Sequence, residues 1–332
     1  MSEPLPHPRD VFDFFGHDDA ELAFEDARTR GRLHHAWLLT GPEGVGKATF
    51  AFRAARRLLG APKAADFGVL GTDPAHSVSR QVMARAHPDL LVLERVGADG
   101  KPRRIIPVDE ARKLSEFFSK SPASAPHRVA IIDAADDLNM NAANAVLKTL
   151  EEPPPQGVLL LVSHSPGGLL PTIRSRCRRL GFSPMAEAET AGFVEDRAGV
   201  SQEDAIRLAR MSGGAPGRAW RLAQAGAVAL DDAAKTLIAD LPEVDEAMAL
   251  ALADRFRGAE GAAVFNLLFD RLADRVHSKV LAWAQDRVAG LDPWVRAWDT
   301  LRRLPAEVEG VNLDRADAFF TALNDLRTAA RA

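Results

Sequence analysis

Nine residues near the start of the chain, GPEGVGKAT at positions 41–49, nearly complete a phosphate-binding loop. In the full pattern, G-x-x-x-x-G-K followed by Ser or Thr, loop amides cradle phosphates, the lysine reaches the β and γ phosphates, and the hydroxyl holds magnesium. The glycines and the lysine are in place, but Ala48 stands where the hydroxyl should be. Thr49 replaces that hydroxyl only if the register shifts by one residue. The candidate nucleotide-binding residues of this segment are Gly41, Gly44, Gly46, Lys47 and Thr49.

The segment VAIIDAAD, residues 129–136, matches the second part of such a site, an apolar strand that ends in a carboxylate. Asp133 is therefore a candidate magnesium ligand. Hydrolysing P-loop proteins usually carry a glutamate next, which orients the attacking water, whereas this chain has Ala134. Losing a positioned general base typically costs ~100-fold to 10,000-fold in rate. Together with Ala48, this change predicts a site that does not hydrolyse ATP, although binding of ATP or ADP, with Mg²⁺ held weakly if at all, stays open.

A third candidate site is the segment LPTIRSRCRRL, residues 170–180, which has four arginines within six residues. They are Arg174, Arg176, Arg178 and Arg179. One interpretation is the solvated basic end of a helix. The other is an arginine finger, because the planar and permanently charged guanidinium can pair with a phosphoryl group in two places. The residues by themselves leave both interpretations open.

Short apolar runs predict the strands that position these sites. They lie directly before the glycine loop (residues 37–39), before Asp133 (residues 129–132) and at residues 158–162, and amphipathic helical patterns follow the first two. Strands that alternate with helices indicate a parallel sheet covered by helices on both faces. We therefore predict one α/β domain over residues 1–182.

Beyond this domain the chain shows only helical patterns. Residues 183–226 contain short helical stretches interrupted by SGGAPG, and residues 227–332 are rich in Ala, Leu, Asp and Arg at helical period. The prediction is an α/β domain followed by a small helical domain and then by a longer one that is also all-helical.

Composition excludes several classes of protein. Of 332 residues, 46% are hydrophobic and 27% are charged, which is typical of a globular chain of two or three domains. The net charge of −4 shows no basic excess of the kind that marks a stand-alone nucleic-acid binder. The single cysteine excludes an internal disulfide and a multi-cysteine zinc site. Because no apolar run approaches a membrane span and the N-terminus lacks an apolar signal core, we expect a cytoplasmic protein without membrane contact.

Four segments together resemble the AAA+ clamp-loader subunits of bacterial DNA polymerase III. They are GRLHHAWLLTGPEGVGKAT, HPDLLVLE, VAIIDAADDLNMNAANAVLKTLEEPP and TIRSRCRRL. The combination of LKTLEEPP with SRC is highly specific for clamp loaders. The resemblance implies an AAA+ P-loop α/β domain over residues 1–182, a small helical lid over residues 183–226, and a helical C-terminal collar over residues 227–332 that assembles with other subunits.

The resemblance also implies roles for individual residues. Arg176 occupies the place of the arginine that acts in trans on ATP bound to an adjacent motor subunit. Arg218, in GAPGRA, corresponds to the lid arginine that senses nucleotide within its own subunit. Family members with degraded ATP motifs act as a rigid stator of the subunit ring, and Ala48 and Ala134 fit that pattern. The implied partners are motor (gamma/tau) and delta-like subunits, the sliding clamp indirectly, and primed DNA through backbone contacts.

Two alternative functions stay open. The first is an ATP-hydrolysing AAA+ motor, such as a gamma/tau-like subunit of the same complex, against which Ala48 and Ala134 argue. The second is an AAA+-like adaptor unrelated to replication, which the SRC segment disfavours.

Two further features bear on ligands and partners. Many clamp-loader subunits bind structural zinc through cysteines in the insertion after the phosphate-loop helix, but residues 60–86 contain no cysteine, so no zinc is expected. This insertion shows no periodicity and is predicted to be loop-rich. Arg112, Lys113 and Lys148 lie on predicted helices that track the DNA backbone in clamp loaders, although a solvated charged face is the simpler interpretation.

Overall fold

The structure, a computed structural model, describes residues 5–96 and 103–332, except for the side chains of residues 259 and 260. The chain divides into two compact units, one ending at Trp220 and the other beginning at Arg221. The sequence-based boundary at residue 182 lies inside the first unit, and the division into three domains stays a prediction.

A parallel five-stranded sheet forms the centre of the first unit, with strand order β2-β3-β4-β1-β5. The strands are β1 (Ala36–Thr40), β2 (Leu90–Glu94), β3 (Arg128–Asp133), β4 (Gly157–Ser163) and β5 (Arg178–Gly181). The helices are α1 (Asp18–Thr29), α2 (Lys47–Leu58), α3 (Ser77–Met83), α4 (Val108–Phe118), α5 (Met140–Glu151), α6 (Pro171–Arg176), α7 (Glu187–Ala198), α8 (Gln202–Ser212) and α9 (Pro216–Gln224). Four single 3-10 turns lie at Pro8–Asp10, Ala65–Phe67, Ala135–Asp137 and Pro166–Gly168.

Helices cover both faces of the sheet, because successive strand residues point to opposite sides. In β1, Trp37 and Leu39 belong to a core cluster with residues of α1 and α2, whereas Ala36 and Leu38 belong to a second cluster with residues of α4, α5 and α6. Every residue of β1 and β4 is buried, as expected for central strands of a covered parallel sheet. The predicted α/β architecture with helices on both faces is confirmed.

The three predicted strands are confirmed as β1, β3 and β4, but β2 and β5 were not predicted. β5 changes the interpretation of the arginine segment. Arg174 and Arg176 lie on α6, whereas Arg178 and Arg179 belong to the edge strand, so the cluster is not a single basic helix end. Arg179 Nε donates to Thr40 Oγ1 at 3.0 Å, and the Arg178 guanidinium lies 4.7 Å from the centroid of a tryptophan ring in β1.

The insertion at residues 60–86 contains a helix, α3, that its sequence did not predict. A buried ion pair holds the insertion against α2. Arg53 Nε donates to Glu21 Oε1 at 2.6 Å, Arg53 Nη2 donates to the carbonyl of Phe67, and the Leu70 amide donates to Glu21 Oε2 at 3.1 Å. Within the described ranges, no group of three His, Cys, Asp or Glu side chains could hold a metal ion.

Every regular element that the structure describes in the second unit is a helix. They are the end of α9 and α10 (Ala227–Ala239), α11 (Glu246–Asp254), α12 (Gly258–Gln285), α13 (Asp292–Val311) and α14 (Arg315–Arg331). The long helix α12 packs against both α10 and α13, and α13 packs against α14. In the part of the chain that the structure covers, no helix combines the length and apolar character needed to cross a bilayer.

Candidate functional site

The glycine loop connects β1 to α2 and requires glycine at several positions. Gly41, Gly44 and Gly46 have φ angles of 151°, 83° and 103°, a region that other residues rarely adopt. A Cβ added to Gly41 would lie 2.1 Å from the carbonyl oxygen of Phe182, and one added to Gly44 would lie 2.5 Å from the amide nitrogen of Arg218. The loop is therefore held in a fixed shape by main chain on two sides, and this shape resembles a cradle for phosphate oxygens.

Lys47 begins α2 and is buried beneath the loop. Its Nζ donates to the carbonyl of Gly41 at 2.6 Å and also to that of Pro42. Burial lowers the pKa of Lys47 to about 8, and the nearby carboxylates of Asp133 and Asp136 oppose the shift. The amine that a triphosphate would need therefore sits at the loop, next to the acidic end of β3.

Asp133 ends β3, where the sequence predicted a carboxylate. Burial raises the pKa of Asp133 to about 6, and the negative charge of Glu94 adds to the shift while His7 and Lys47 oppose it. Ala134, which follows, is buried and supplies no side-chain base. Around neutral pH the carboxylate of Asp133 could assist in holding a cation, and Ala134 offers no side chain that could activate water.

Asp136, three residues after Asp133, has a structural role. Its carboxylate accepts hydrogen bonds from Ser163 Oγ at 3.0 Å and from the amides of His164 at 2.7 Å and Ser165 at 2.9 Å. These bonds fix the chain where it leaves β4. Because both carboxylate oxygens already accept protein donors, Asp136 organises this end of the sheet.

The hydroxyl of Thr49 does not occupy the place where a hydroxyl at position 48 would lie. α2 begins at Lys47 with Gly46 as its N-cap, so Ala48 and Thr49 both lie in its first turn. Adjacent residues of a helix project about 100° apart around the axis. Thr49 is half-buried in the same turn, and any contact of its hydroxyl with magnesium stays a prediction.

Arg218 lies directly beside the glycine loop. The amide of Gly217 donates to the carbonyl of Gly44 at 2.8 Å, which joins the start of α9 to the loop. The Arg218 side chain is exposed. The structure therefore brings together the loop glycines, Lys47, Asp133 and the arginine that was predicted to sense nucleotide.

Several residues around the loop were not found from the sequence. The ring of Phe14 packs over Gly46, and His17 Nε2 lies 3.0 Å from the carbonyl oxygen of Val45. Burial lowers the pKa of His17, which favours the neutral ring. The only signal for them was the run of aromatic residues at 12–17, which could equally have been core.

A cavity of about 340 Å³ adjoins this segment in the first unit. It is lined by Phe15, Gly16, Met185, Glu189, Gly192, Phe193, Asp196 and Arg197. Its volume lies at the lower end of the range of small-molecule sites, and two of its walls are aromatic. Gly16 precedes His17, which contacts the glycine loop, so the cavity and the loop are neighbours.

His164 is a second residue that the sequence did not single out. It follows β4 directly, and its amide is held by Asp136. Burial lowers the pKa of His164, and the positive charge of Lys47 adds to that effect. A neutral imidazole therefore stands near the lysine of the loop, at the carboxyl end of a central strand.

Arg176 and the glycine loop lie near opposite ends of the neighbouring parallel strands β5 and β1. In the parallel pair of β1 and β5, Trp37 pairs with Arg178 and Thr40 with Gly181. Arg176 precedes the start of β5, whereas the loop follows the end of β1, so the length of β1 separates them. Five residues at ~3.3 Å each make about 16 Å, which exceeds the reach of an arginine side chain.

The guanidinium of Arg176 is accessible. Its Nη2 lies 3.1 Å from Glu151 Oε1, and its Nη1 donates to the carbonyl of Thr172 at 3.2 Å. The exposed fractions of the Arg176 and Glu151 side chains are 37% and 51%. An ion pair this exposed contributes only about 0–1 kcal/mol, so it does not commit the guanidinium to its own subunit.

The basic residues considered for DNA contact are all exposed. Arg112 and Lys113, on α4, lie 3.0 Å from Asp109 and 2.7 Å from Glu110 respectively. Lys148 is exposed on α5, which packs against α4. The two α4 cations are thus partly neutralised on their own helix.

The strand order, the glycine loop between β1 and α2, and the acidic end of β3 define an AAA+ P-loop α/β domain, which helices follow. A family model described as "DNA polymerase III, delta subunit" matches residues 16–186, more than half of the chain. The DNA polymerase III subunit delta' of Pseudomonas aeruginosa is 39% identical over 194 residues, 58% of this chain and 57% of that one. The same subunit of Bacillus subtilis is 32% identical over 186 residues, 55% of this chain and 50% of that one.

A solved structure of a DNA polymerase III, gamma subunit-related protein from Thermotoga maritima is similar at a TM-score of 0.48 and 19% identity, covering 92% of this chain and 99% of that one. The match spans about half the length of the two delta' relatives. The chain belongs to the DNA polymerase III delta-subunit family. The resemblance inferred from the sequence motifs is thereby confirmed.

Proposed function

We propose that this protein is a delta-prime-type subunit of a bacterial clamp loader that supplies Arg176 to ATP bound by a neighbouring motor subunit. In this role it acts as a stator that hydrolyses no ATP itself. The guanidinium stabilises charge on the phosphoryl group of the neighbour, so that ATP binding and hydrolysis there drive loading of the sliding clamp on primed DNA. Its partners are gamma/tau- and delta-type subunits.

One observation carries the proposal: Arg176 and the glycine loop lie near opposite ends of the adjacent strands β5 and β1. Because the length of β1, about 16 Å, separates the backbone of Arg176 from the loop, its guanidinium is not placed to serve that site. It is nevertheless exposed, at the end of a short helix whose Ile173 is fully buried. A fixed backbone with an accessible charged tip is what positioning a finger for another molecule requires.

The composition of the chain's own nucleotide site supports the stator role over the motor alternative. Ala48 lacks the metal-binding hydroxyl, and Ala134 lacks the carboxylate that orients water. Loss of the base alone typically costs ~100-fold or more in rate. The chain therefore keeps the parts of an AAA+ site that bind phosphate and lacks those that activate water.

Substitution of the finger tests the proposal. In a complex reconstituted with gamma/tau- and delta-type partners, Arg176→Ala should slow hydrolysis at the site it serves by about 1,000-fold, the typical worth of an arginine finger. The measurements are DNA-stimulated ATP turnover and clamp loading, with assembly checked by size-exclusion chromatography. Arg174→Ala, on the same helix and exposed, is the matched control and should leave turnover unchanged. Unchanged turnover in the Arg176→Ala complex would refute the proposal.

We further propose that the glycine loop binds nucleotide without turning it over. The cradle of glycines, Lys47 and the first turn of α2 would hold the phosphates, and the adjoining 340 Å³ cavity is large enough to take a base. Asp133 would be the candidate magnesium ligand and the hydroxyl at position 48 is missing, so metal dependence should be weak.

Nucleotide affinity of the isolated protein tests this second proposal. ATP and ADP titrations with and without magnesium should both show binding, and Lys47→Ala should abolish it. Strong dependence on magnesium together with steady phosphate release that Lys47→Ala removes would favour the motor alternative instead. No binding in either condition would contradict the proposal but leave the role of Arg176 intact.

A further inference from the structure

We infer that Glu151 is a positioning residue that holds Arg176 when no triphosphate is presented, and that it sets the ATP concentration at which the finger engages. This inference rests on the proposed role of Arg176.

The backbones that carry the two charges are both fixed. Glu151 is the last residue of α5, which ends there because the following prolines cannot continue a helix. Arg176 is the last residue of α6. Ile173 of α6 and Leu150 of α5 belong to the same buried core cluster, so both helix ends are fixed. Only the two exposed side chains are free to change partners.

The Arg176 guanidinium already has acceptors within its own subunit. Arg176 Nη2 lies 3.1 Å from Glu151 Oε1, and Arg176 Nη1 donates to the carbonyl of Thr172, so both ends of the guanidinium have partners within the subunit. The carboxyl end of α5 adds a partial negative charge from its unpaired carbonyls. A neighbour's triphosphate must displace these acceptors to bind the guanidinium, and the remaining carboxylate of Glu151 then repels the incoming phosphates.

The expected effect of Glu151 on ATP turnover is modest. An exposed ion pair changes an equilibrium by at most about fivefold. When only a fraction of a group is available, the apparent dissociation constant rises by the inverse of that fraction. Glu151 should therefore raise the ATP concentration for half-maximal turnover by about two- to fivefold. It should not change the rate at saturating ATP, because the finger is then fully engaged.

The closing experiment compares Glu151→Gln with Glu152→Gln in the reconstituted complex. Glu152 is the adjacent exposed glutamate, so its substitution removes the same charge one residue away. We expect Glu151→Gln to lower the half-maximal ATP concentration two- to fivefold at ~0.05 M salt, with kcat unchanged, and the difference should shrink at ~0.5 M salt because surface charges are screened. The effect should vanish when Arg176→Ala is also present.

The possible results separate the two proposals. If Arg176→Ala impairs turnover but Glu151→Gln behaves like Glu152→Gln, the inference about Glu151 is wrong, whereas the proposed role of Arg176 is supported. A lower kcat in Glu151→Gln would mean that Glu151 holds the finger in its working pose, which also overturns the inference. If Arg176→Ala has no effect, the finger itself is wrong and the inference falls with it.

Discussion

Two arginine–glutamate pairs in the first unit have similar geometry and opposite surroundings. Arg53 and Glu21 lie 2.6 Å apart with side chains that are each 2% exposed. Arg176 and Glu151 lie 3.1 Å apart with side chains that are 37% and 51% exposed. The first pair lies beside the insertion, the second at the edge of the sheet where the finger is proposed.

The difference shows that burial decides whether an ion pair serves structure or remains available for a partner. Arg53 also donates to the carbonyls of Phe12 and Phe67, so every part of its guanidinium is used and the insertion and N-terminal segment close around it. Removing one charge there leaves the other buried without compensation. Arg176 is solvated, so a stronger anion can displace Glu151 at small cost.

The largest effect is expected from a substitution that breaks the buried ion pair. Glu21→Ala should lower the free energy of unfolding by about 3–5 kcal/mol, because the Arg53 guanidinium and the Leu70 amide lose their acceptor inside the protein. Urea denaturation followed by circular dichroism measures the change. Glu151→Ala is the matched variant in the exposed pair and should stay within about 0.5 kcal/mol. Equal losses in both variants would contradict the comparison.

The next largest effect on the free energy of unfolding is expected at the glycine loop, where main chain closely surrounds Gly41. Gly41→Ala should cost about 2–3 kcal/mol, because its φ of 151° disfavours a side chain and the added Cβ meets the carbonyl of Phe182. Gly181→Ala is the control, since a Cβ there meets nothing within 4 Å. The same denaturation assay applies. If Gly41→Ala does not lower the stability, the loop shape is less constrained than its contacts imply.

Substitution of Asp133 should have a smaller effect, and it should stabilise the protein where the earlier substitutions destabilise it. Its raised pKa, about 6, means that the folded state binds the proton more tightly than the unfolded chain. Stability contributed by this group therefore falls as pH rises from about 4 to 6 and stays low above that. Asp133→Asn should raise the free energy of unfolding by about 1–2 kcal/mol at pH 7–8 and by little at pH 4. A gain that does not grow with pH would contradict the assignment to burial.

The smallest effect is expected at Arg176, the proposed finger. Arg176→Ala should change the free energy of unfolding by no more than about 0.5 kcal/mol, because the pair it breaks is solvated. Thermal denaturation of the isolated protein is sufficient to check this. A loss of several kcal/mol would mean that Arg176 is structural, and any loss of turnover in the complex would then need another explanation.

Much of the fold could be predicted from local patterns. β1, β3 and β4 are continuous apolar runs because they are buried on both faces, and the glycine loop is recognisable because phosphate binding needs specific residue types at specific spacing. β5 could not be predicted in the same way. Its four residues include Arg178 and Arg179, and its strand form depends on pairing with β1 along a sheet edge.

The sequence predicted the residue types of the candidate site, but it did not predict which neighbouring charged residues are buried. Burial of Arg53 and Arg56 on α2 runs against their usual exposure, and it occurs because the N-terminal segment supplies carbonyl acceptors from Arg9, Val11 and Phe12. These partners are more than 40 positions away in the chain. No periodicity within α2 reports them.

Residue types at fixed spacing, above all Lys47, Arg176, Ala48 and Ala134, are enough to predict from the chain alone which parts of a nucleotide site are kept and which are missing. Where those residues lie relative to one another depends on the folded chain. Folding places Arg176 and the glycine loop near opposite ends of the adjacent strands β5 and β1, through their parallel register. It also left one ion pair solvated and buried another, since exposure depends on packing between segments distant in the chain.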